Sequence, residues 1–135
     1  MAALSGITAV RPTTNTIEER VTLGATAAVG QPLYQDVTVA KHKLAGNAST
    51  TLAKCSGITI TPGVDGSESY IAKGGSIVLV GTTMAVGTTY YVGNTPGEIV
   101  PESDLSTGHI VTRLGTASAT TVLDLSIKAT EIAHA

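Results

Sequence analysis

Short runs rich in Thr, Val and Ile, separated by glycines, dominate the chain from Val21 onward. Such residues favour strands because their side chains pack well on a pleated surface, and glycine marks turns and bulges. The pattern therefore predicts an all-β fold, either a small antiparallel β-barrel or a sandwich. The runs of strand length are QDVTVA (35–40), GITITP (57–62), SIVLVG (76–81), TYYVG (89–93) and TVLDLSIKA (121–129).

Helical periodicity is nearly absent from the sequence. The segment NASTTLAK (47–54) can form a single helical turn capped by Asn47 or Ser49, and ESDLSTG (102–108) resembles it. Gly74 and Gly75 separate SYIA (69–72) from SIVLV (76–80), which predicts a hairpin at this pair.

The chain also contains an internal repeat, most visible where Val-Gly-Thr-Thr occurs at 80–83 and again at 86–89. On a larger scale, residues 21–61 align with residues 78–119 at an offset of 57 or 58. The alignment predicts two halves with one strand plan, although a composition this rich in Gly, Thr and Val can also produce such a match by coincidence. The aligned positions are Gly24 with Gly81, Gly30 with Gly87, Leu33-Tyr34 with Tyr90-Tyr91, and Gly57 with Gly115.

Composition limits the size of the core and the range of functions. The 135 residues include no Trp, no Phe and four Tyr, so Val, Ile, Leu and Ala must form a shallow core. A single cysteine, Cys55, excludes an internal disulfide, and we expect self-association to compensate. The net charge of −2 without a basic cluster argues against nucleic acid. We expect no membrane span and no signal peptide, and hence synthesis in the cytoplasm.

Reactive side chains are sparse and scattered. The three histidines, His42, His109 and His134, lie far apart without neighbouring ligands at metal-binding spacing, so we expect no metal site. No nucleophile elbow, phosphate-binding loop or dinucleotide fingerprint occurs, and Cys55 has no paired histidine. We therefore expect no catalytic residue and no cofactor, and we interpret Cys55 as a small buried hydrophobe.

The tyrosines are the candidates for a protein interface. Tyr90 and Tyr91 are neighbours on a predicted strand, so they must point to opposite faces, and one of them should face outward. Tyr34 occupies the equivalent strand in the first half. Exposed tyrosines on a rigid sheet favour protein contacts, although an ordinary surface tyrosine is the alternative.

The first 20 residues have no place in the repeat, and we interpret them as an extended arm preceding a β-domain at 21–135. The arm has apolar side chains at Leu4, Ile7, Val10 and Ile17, and basic ones at Arg11 and Arg20. We expect it to become ordered by adding a strand to a neighbouring molecule; a frayed terminus is the alternative.

Three stretches resemble the cement, or head-decoration, proteins that coat the capsids of tailed bacteriophages. They are GQPLYQD (30–36), the run from AKGGSIVLVG to RLGTA (72–117), and TTVLDLSIKAT (120–130). The resemblance covers most of the chain after residue 20 and depends on glycines and strands, not on reactive groups.

The resemblance implies a β-rich protein on the outer surface of the virion. It would bind the major capsid protein of the assembled head, often as a trimer, and brace neighbouring subunits. A spike or knob that binds a host receptor or glycan is the alternative function, and a small hydrolase is a weaker third because no acid, base and nucleophile cluster in the sequence.

Overall fold

The computed structural model describes residues 3–134 and is almost entirely β-structure, which confirms the predicted fold class. Within these residues the only helical segment is one 3-10 turn, Glu102–Asp104. The strands are β1 (Ala9–Pro12), β2 (Ile17–Thr22), β3 (Pro32–Asp36), β4 (Lys41–Leu44), β5 (Cys55–Thr59), β6 (Glu68–Val80), β7 (Thr89–Val92), β8 (Ile99–Pro101), β9 (Ile110–Ala117) and β10 (Val122–Ala133).

These strands form one antiparallel sheet that curls into a half-barrel. The strand order is β4-β3-β5-β6-β10-β9-β7-β8, and β1 and β2 pair with β6 in addition. A parallel bridge between Leu23 and His42 brings the end of β2 next to β4. Because the sheet curls, β2 and β4 lie side by side although they are not neighbours in the strand order.

Strand β6 runs through the middle of the sheet and pairs with four other strands. Its first part, 68–74, pairs with β2 and β5, and its second part, 75–80, pairs with β1 and β10. The predicted hairpin at Gly74 and Gly75 is therefore wrong, because the strand continues through both residues. The two glycines instead accompany a bulge in β6, in which Lys73 is the extra residue. Gly75, with a φ of 75°, also allows the backbone of Asn15 to approach closely.

The N-terminal segment belongs to this sheet and does not extend away from it. Strand β1 forms four residue pairs with β6, and β2 pairs with β6 from Ile17 to Thr22, so the predicted boundary at residue 20 falls inside a strand. Leu4 and Ile7 pack against the core, and Val10 is buried. The expectation that these residues need a neighbouring molecule is therefore wrong, because the edge of β6 in the same chain satisfies them.

Three shorter segments also differ from the sequence-based expectation. Residues 47–54 form turns without a helix, and 102–108 contain only the short 3-10 turn. The run 35–40 leaves the strand after Asp36, because the Asp36 carboxylate accepts the Thr38 N–H (3.0 Å) and pairs with Lys43 (2.9 Å). A local carboxylate cap of this kind starts a turn where β-propensity alone predicts a strand.

The core consists of two clusters of buried side chains. The larger is made mainly of Ile, Leu and Val and contains Tyr34, Tyr90 and Met84. The smaller consists of Val21, Leu23, Ala27, Leu33 and Ile71. Two tyrosines and a methionine thus supply the bulk that Phe or Trp supplies in other cores.

The strand pairings in the two halves of the chain correspond residue by residue at the predicted offsets. In each half a strand paired with the central one has a bulge at the same place: Ser56 is the extra residue in β5, opposite Leu33 and Tyr34 of β3, and Leu114 is the extra residue in β9, opposite Tyr90 and Tyr91 of β7. The superposition of residues 21–61 on 78–119 stays a prediction. The corresponding pairs are Leu33–Gly57 and Tyr90–Gly115, Tyr34–Cys55 and Tyr91–Arg113, Leu33–Leu44 and Tyr90–Pro101, and Tyr34–Lys43 and Tyr91–Val100.

Glycine is required at the two equivalent positions in β5 and β9. A Cβ on Gly57 would lie 2.6 Å from the Ala72 carbonyl oxygen, and one on Gly115 would collide with the Asp124 carbonyl oxygen. We expect Gly57→Ala and Gly115→Ala each to lower the free energy of unfolding by about 2–3 kcal/mol, measured by urea denaturation.

Gly46→Ala is the matched control, because Gly46 is also buried but its nearest contact is an ordinary 3.5 Å. Its expected change is below about 1 kcal/mol. Equal losses at Gly46 and Gly115 would show that the close backbone approach is not the cause.

Candidate interaction surface

Three of the predicted interface residues are buried inside the chain. Tyr34 is 8% exposed, Tyr90 is 2% exposed and Val10 is 6% exposed, and all three belong to the larger core cluster. The Tyr90 hydroxyl accepts the Ala85 N–H at 3.1 Å. The prediction of an interface role does not hold for these residues in this chain, because the core needs their volume.

Tyr91 points away from its buried neighbour, as the alternation of a strand requires. It is partly exposed and lines an open cavity of about 350 Å³ at the end of the sheet near β8. Tyr91 is thus the predicted tyrosine that remains available to a partner. The other lining residues are Thr88, Thr89, Pro101, Glu102 and Ser103.

The remaining predicted residues lie in two environments. Arg11, Ile17 and Arg20 are exposed, and Arg20 forms an ion pair with Glu68 at 3.4 Å. Leu4 and Ile7 are partly buried and line a second cavity of about 280 Å³ between residues 4–7, 28–31 and 95–99. Because β10 and β9 separate β6 from β7 in the sheet, the structure does not bring Arg20 and Tyr91 into one site.

Sequence reasoning missed several exposed apolar side chains. Tyr70 lies between the buried residues Ser69 and Ile71, so the alternation within SYIA was a signal that could have found it. Val37 and Val39 lie in the turn that replaces the end of the predicted strand, and no local pattern separated them from core valines. The exposed fractions are 83% for Val37, 67% for Ile132, 63% for Val86, 58% for Val64, 50% for Val39 and 47% for Tyr70.

A polar cavity lies between β2 and β4, beside the parallel bridge, and we call it the β2–β4 cavity. Its volume is about 350 Å³, and it is lined by Glu19, Arg20, Val21, Thr22, Gln35, Ala40, His42 and Glu68. His42 is only 5% exposed, and its Nδ1 atom has no hydrogen-bond partner among residues 3–134. A buried nitrogen without a partner is costly unless an ordered water or a neighbouring group satisfies it.

Charges around His42 are already paired. Glu19 forms an ion pair with Lys73 at 3.3 Å. Burial lowers the pKa of His42 below its ordinary value; the nearby Glu19 carboxylate acts in the opposite direction, and Lys73 acts with burial. His42 is therefore mainly neutral at pH 7 and can accept or donate a hydrogen bond without carrying a charge.

Other reactive groups do not assemble into a site. Within the described part of the chain, no three His, Cys, Asp or Glu side chains converge on a point where they could hold a metal ion. Burial raises the pKa of the Cys55 thiol to about 12, which keeps it protonated, and its Sγ donates to the Gly57 carbonyl oxygen at 3.5 Å. Residues 3–134 also include no helix that is long and apolar enough to cross a bilayer.

Comparison with known protein families found no family model that matches this chain, and comparison with characterised proteins found no significant match. The function must therefore be argued from the residues and surfaces described above.

The roles of the two buried tyrosines differ in one hydrogen bond. Tyr90→Phe removes the acceptor of the Ala85 N–H, so we expect the free energy of unfolding to fall by about 1 kcal/mol. In Tyr34→Phe we expect a smaller change, because the Tyr34 hydroxyl makes no hydrogen bond to residues 3–134. Chemical denaturation of both variants measures the difference, and a larger loss for Tyr34→Phe would contradict it.

Burial of His42 predicts a pH-dependent stability. Because the pKa of His42 is lower in the folded state than its value of 6.5 in an unfolded chain, the unfolded state binds the proton more readily. This contribution to stability is present above about pH 6.5 and is lost as the pH falls below that value. The pKa of Asp36 is also lowered, mainly by a hydrogen bond from Lys43. The stability that Asp36 contributes is lost only at more acidic pH, below 3.8.

Urea denaturation at about pH 7.5 and about pH 5 separates the two groups. We expect the wild-type protein to lose stability between these values and His42→Gln to lose less. An identical loss in both proteins would assign the effect to another group.

Proposed function

We propose that this protein is a structural cement protein that binds the outer surface of an assembled bacteriophage head and stabilises it. The resemblance of residues 30–36, 72–117 and 120–130 to head-decoration proteins supports this function. The β-fold supports it as well, because antiparallel sheets provide a rigid scaffold on which side chains can be presented.

The observation that carries the proposal is the set of exposed apolar side chains, above all the two valines of the turn at 37–40. Val37 and Val39 are 83% and 50% exposed in a turn that Asp36 holds by two contacts, to the Thr38 N–H and to Lys43. Preorganised apolar groups lose little conformational entropy when a partner covers them. Such a turn is suited to docking on a fixed lattice of subunits.

Stabilisation of the head follows from mass action. A protein that binds the mature lattice of the major capsid protein better than free or immature subunits lowers the free energy of that lattice. Three copies around a three-fold position would bind with avidity, since their individually weak contacts form together. We propose a trimer for this reason, with the exposed apolar side chains divided between neighbouring copies and capsid subunits.

A receptor- or glycan-binding knob on the virion is the second candidate. The β2–β4 cavity favours this second candidate, because it is polar and large enough for part of a sugar. Sugar sites commonly stack a ring on a Trp, Tyr or Phe side chain, however, and residues 3–134 contribute none of these to the lining of this cavity. We therefore prefer the cement function.

The turn at 37–40 provides the test. We expect the double variant Val37→Ser/Val39→Ser to remain folded and to bind capsids of the cognate phage at least about tenfold more weakly, because each valine buried at an interface contributes about 1–2 kcal/mol. Thr38→Ser, in the same turn, is the matched control and should bind like the wild type. Binding is measured by cosedimentation with purified heads that lack the protein.

Two outcomes would contradict the proposal. One is wild-type protein that does not bind such heads or raise their resistance to heat. The other is an equal loss of binding in the double variant and in Thr38→Ser, which would mean that apolar contact at this turn is not involved. A glycan array bound at micromolar affinity by the wild type would instead support the knob.

A further inference from the structure

We propose that the outer edge of β2 accepts one extended peptide segment from a partner protein, which adds as a strand between β2 and β4. This edge consists of the main-chain groups of Glu18 and Arg20 and the N–H of Thr22. The proposal concerns a surface separate from the turn at 37–40 and does not depend on the proposed function.

The pairing of β2 leaves these groups facing away from β6. In an antiparallel ladder, alternate residues direct their N–H and C=O groups to opposite sides. Leu23 donates its N–H to the Ser67 carbonyl oxygen (2.8 Å), so Leu23, Val21 and Glu19 face β6. The groups of Arg20 and Glu18 must then face outward, and they have no hydrogen-bond partner on that side among residues 3–134.

The second half of the chain shows what occupies the equivalent edge. Judged by hydrogen bonding, Leu79 takes the place of Leu23, one residue before the position that the sequence offset of 57 gives, since its N–H donates to the Thr121 carbonyl oxygen (2.7 Å). The outward groups of β6 are then those of Val78 and Val80, and β1 covers them over four residue pairs. The Thr8 N–H, for example, donates to the Val80 carbonyl oxygen at 2.8 Å. An extended segment of this chain therefore completes that edge.

The next outward residue of the same edge is also covered. Ser76 donates its N–H to the Asn15 Oδ1 atom (3.1 Å), and its carbonyl oxygen accepts from the hydroxyl groups of Thr13 and Thr16. Residues 8–16 thus satisfy the whole outer edge of β6 in this half. The corresponding residue of β2, two positions before Thr22, is Arg20, which has no such cap.

The β2–β4 cavity lies beside the uncovered edge. His42 lines it although only 5% of the residue is exposed, and its unpartnered Nδ1 atom is buried. The parallel bridge closes the space at one end, where the Gly24 N–H donates to the His42 carbonyl oxygen (2.7 Å). At about 350 Å³, the cavity admits a few residues of one extended segment.

The occupant comes from another protein and not from a second copy. The extended segment of this chain that fits such an edge, residues 3–12, is already held within its own chain, by β6 at residues 8–12 and by Ile99 of β8 at Leu4. A strand that belongs to the sheet of a second copy would have to fit against Ala40 and His42, which border the cavity beyond β2. Pairing two β2 edges about their centre would also place Glu19 opposite Glu19, which is unfavourable.

The lining indicates the chemistry of this segment. Glu19 and Arg20 already have the partners Lys73 and Glu68, so the site does not call for a charged side chain. The polar lining of the cavity, which includes Thr22, Gln35 and His42, suits hydroxyl and amide groups that form hydrogen bonds. The structure thus favours an uncharged segment of small residues that includes Ser or Thr, similar to residues 3–9, ALSGITA.

The test uses the full-length protein and a synthetic peptide with the sequence of residues 3–12, ALSGITAVRP. Titration of the protein with the peptide should shift the amide NMR signals of Glu18, Arg20 and Thr22 and the imidazole signals of His42. Hydrogen exchange at the Arg20 amide should slow at least about tenfold. A scrambled peptide of the same composition is the control and should bind at least about tenfold more weakly.

Singly N-methylated peptides test the strand geometry without altering the protein. Blocking successive N–H groups should weaken binding at every second position, because only alternate groups face β2. Arg20→Pro removes an N–H outside the β2–β6 ladder, so it should keep the fold and weaken binding at least about tenfold.

Several results would overturn the proposal. They are shifts confined to Val78 and Val80, which would mean exchange with β1; an N-methyl scan without a two-residue period; and equal binding of the scrambled peptide. Protection of the Arg20 amide that rises with protein concentration alone would assign the edge to a second copy.

Discussion

The structure depends on one strand, β6, whose two main-chain edges are both used along most of its length. Over 13 residues it pairs with β2 and β5 and then with β1 and β10, and it therefore joins the two halves of the chain into one sheet. Backbone groups that are buried without partners are costly, so a central strand of this kind forces other segments to cover it. The glycines at 74 and 75 allow this by removing side chains where the turn before β2 approaches.

The curl of the sheet follows from bulges and from glycines that allow close backbone contact. The same bulge occurs in β5 and in β9, next to Gly57 and Gly115, where strands approach within the reach of a side chain. Bulges increase the local twist, and repeated bulges bend a sheet toward closure. A shallow aliphatic core becomes sufficient because two tyrosines fill it and the curled sheet covers it.

The properties of the surface also depend on which groups have partners within the chain. Paired charges such as Arg20–Glu68 surround the edge of β2, whereas apolar valines occupy a turn that Asp36 holds. Isolated surface ion pairs contribute little stability, about 0–1 kcal/mol each, but they keep an open edge soluble. The outer face therefore offers two kinds of contact, one apolar and one formed by main-chain hydrogen bonds.

The sequence by itself determined the strand content and the opposite orientation of Tyr90 and Tyr91, because strand propensity and side-chain alternation are local properties. It did not identify the partner of residues 3–22, the continuation of β6 through Gly74 and Gly75, or the burial of Tyr34. Only the tertiary structure decided these, and likewise the cavity beside His42. Main-chain edges have no sequence signature, since every residue carries the same donor and acceptor, and the strand that covers an edge is selected by contacts between distant parts of the chain.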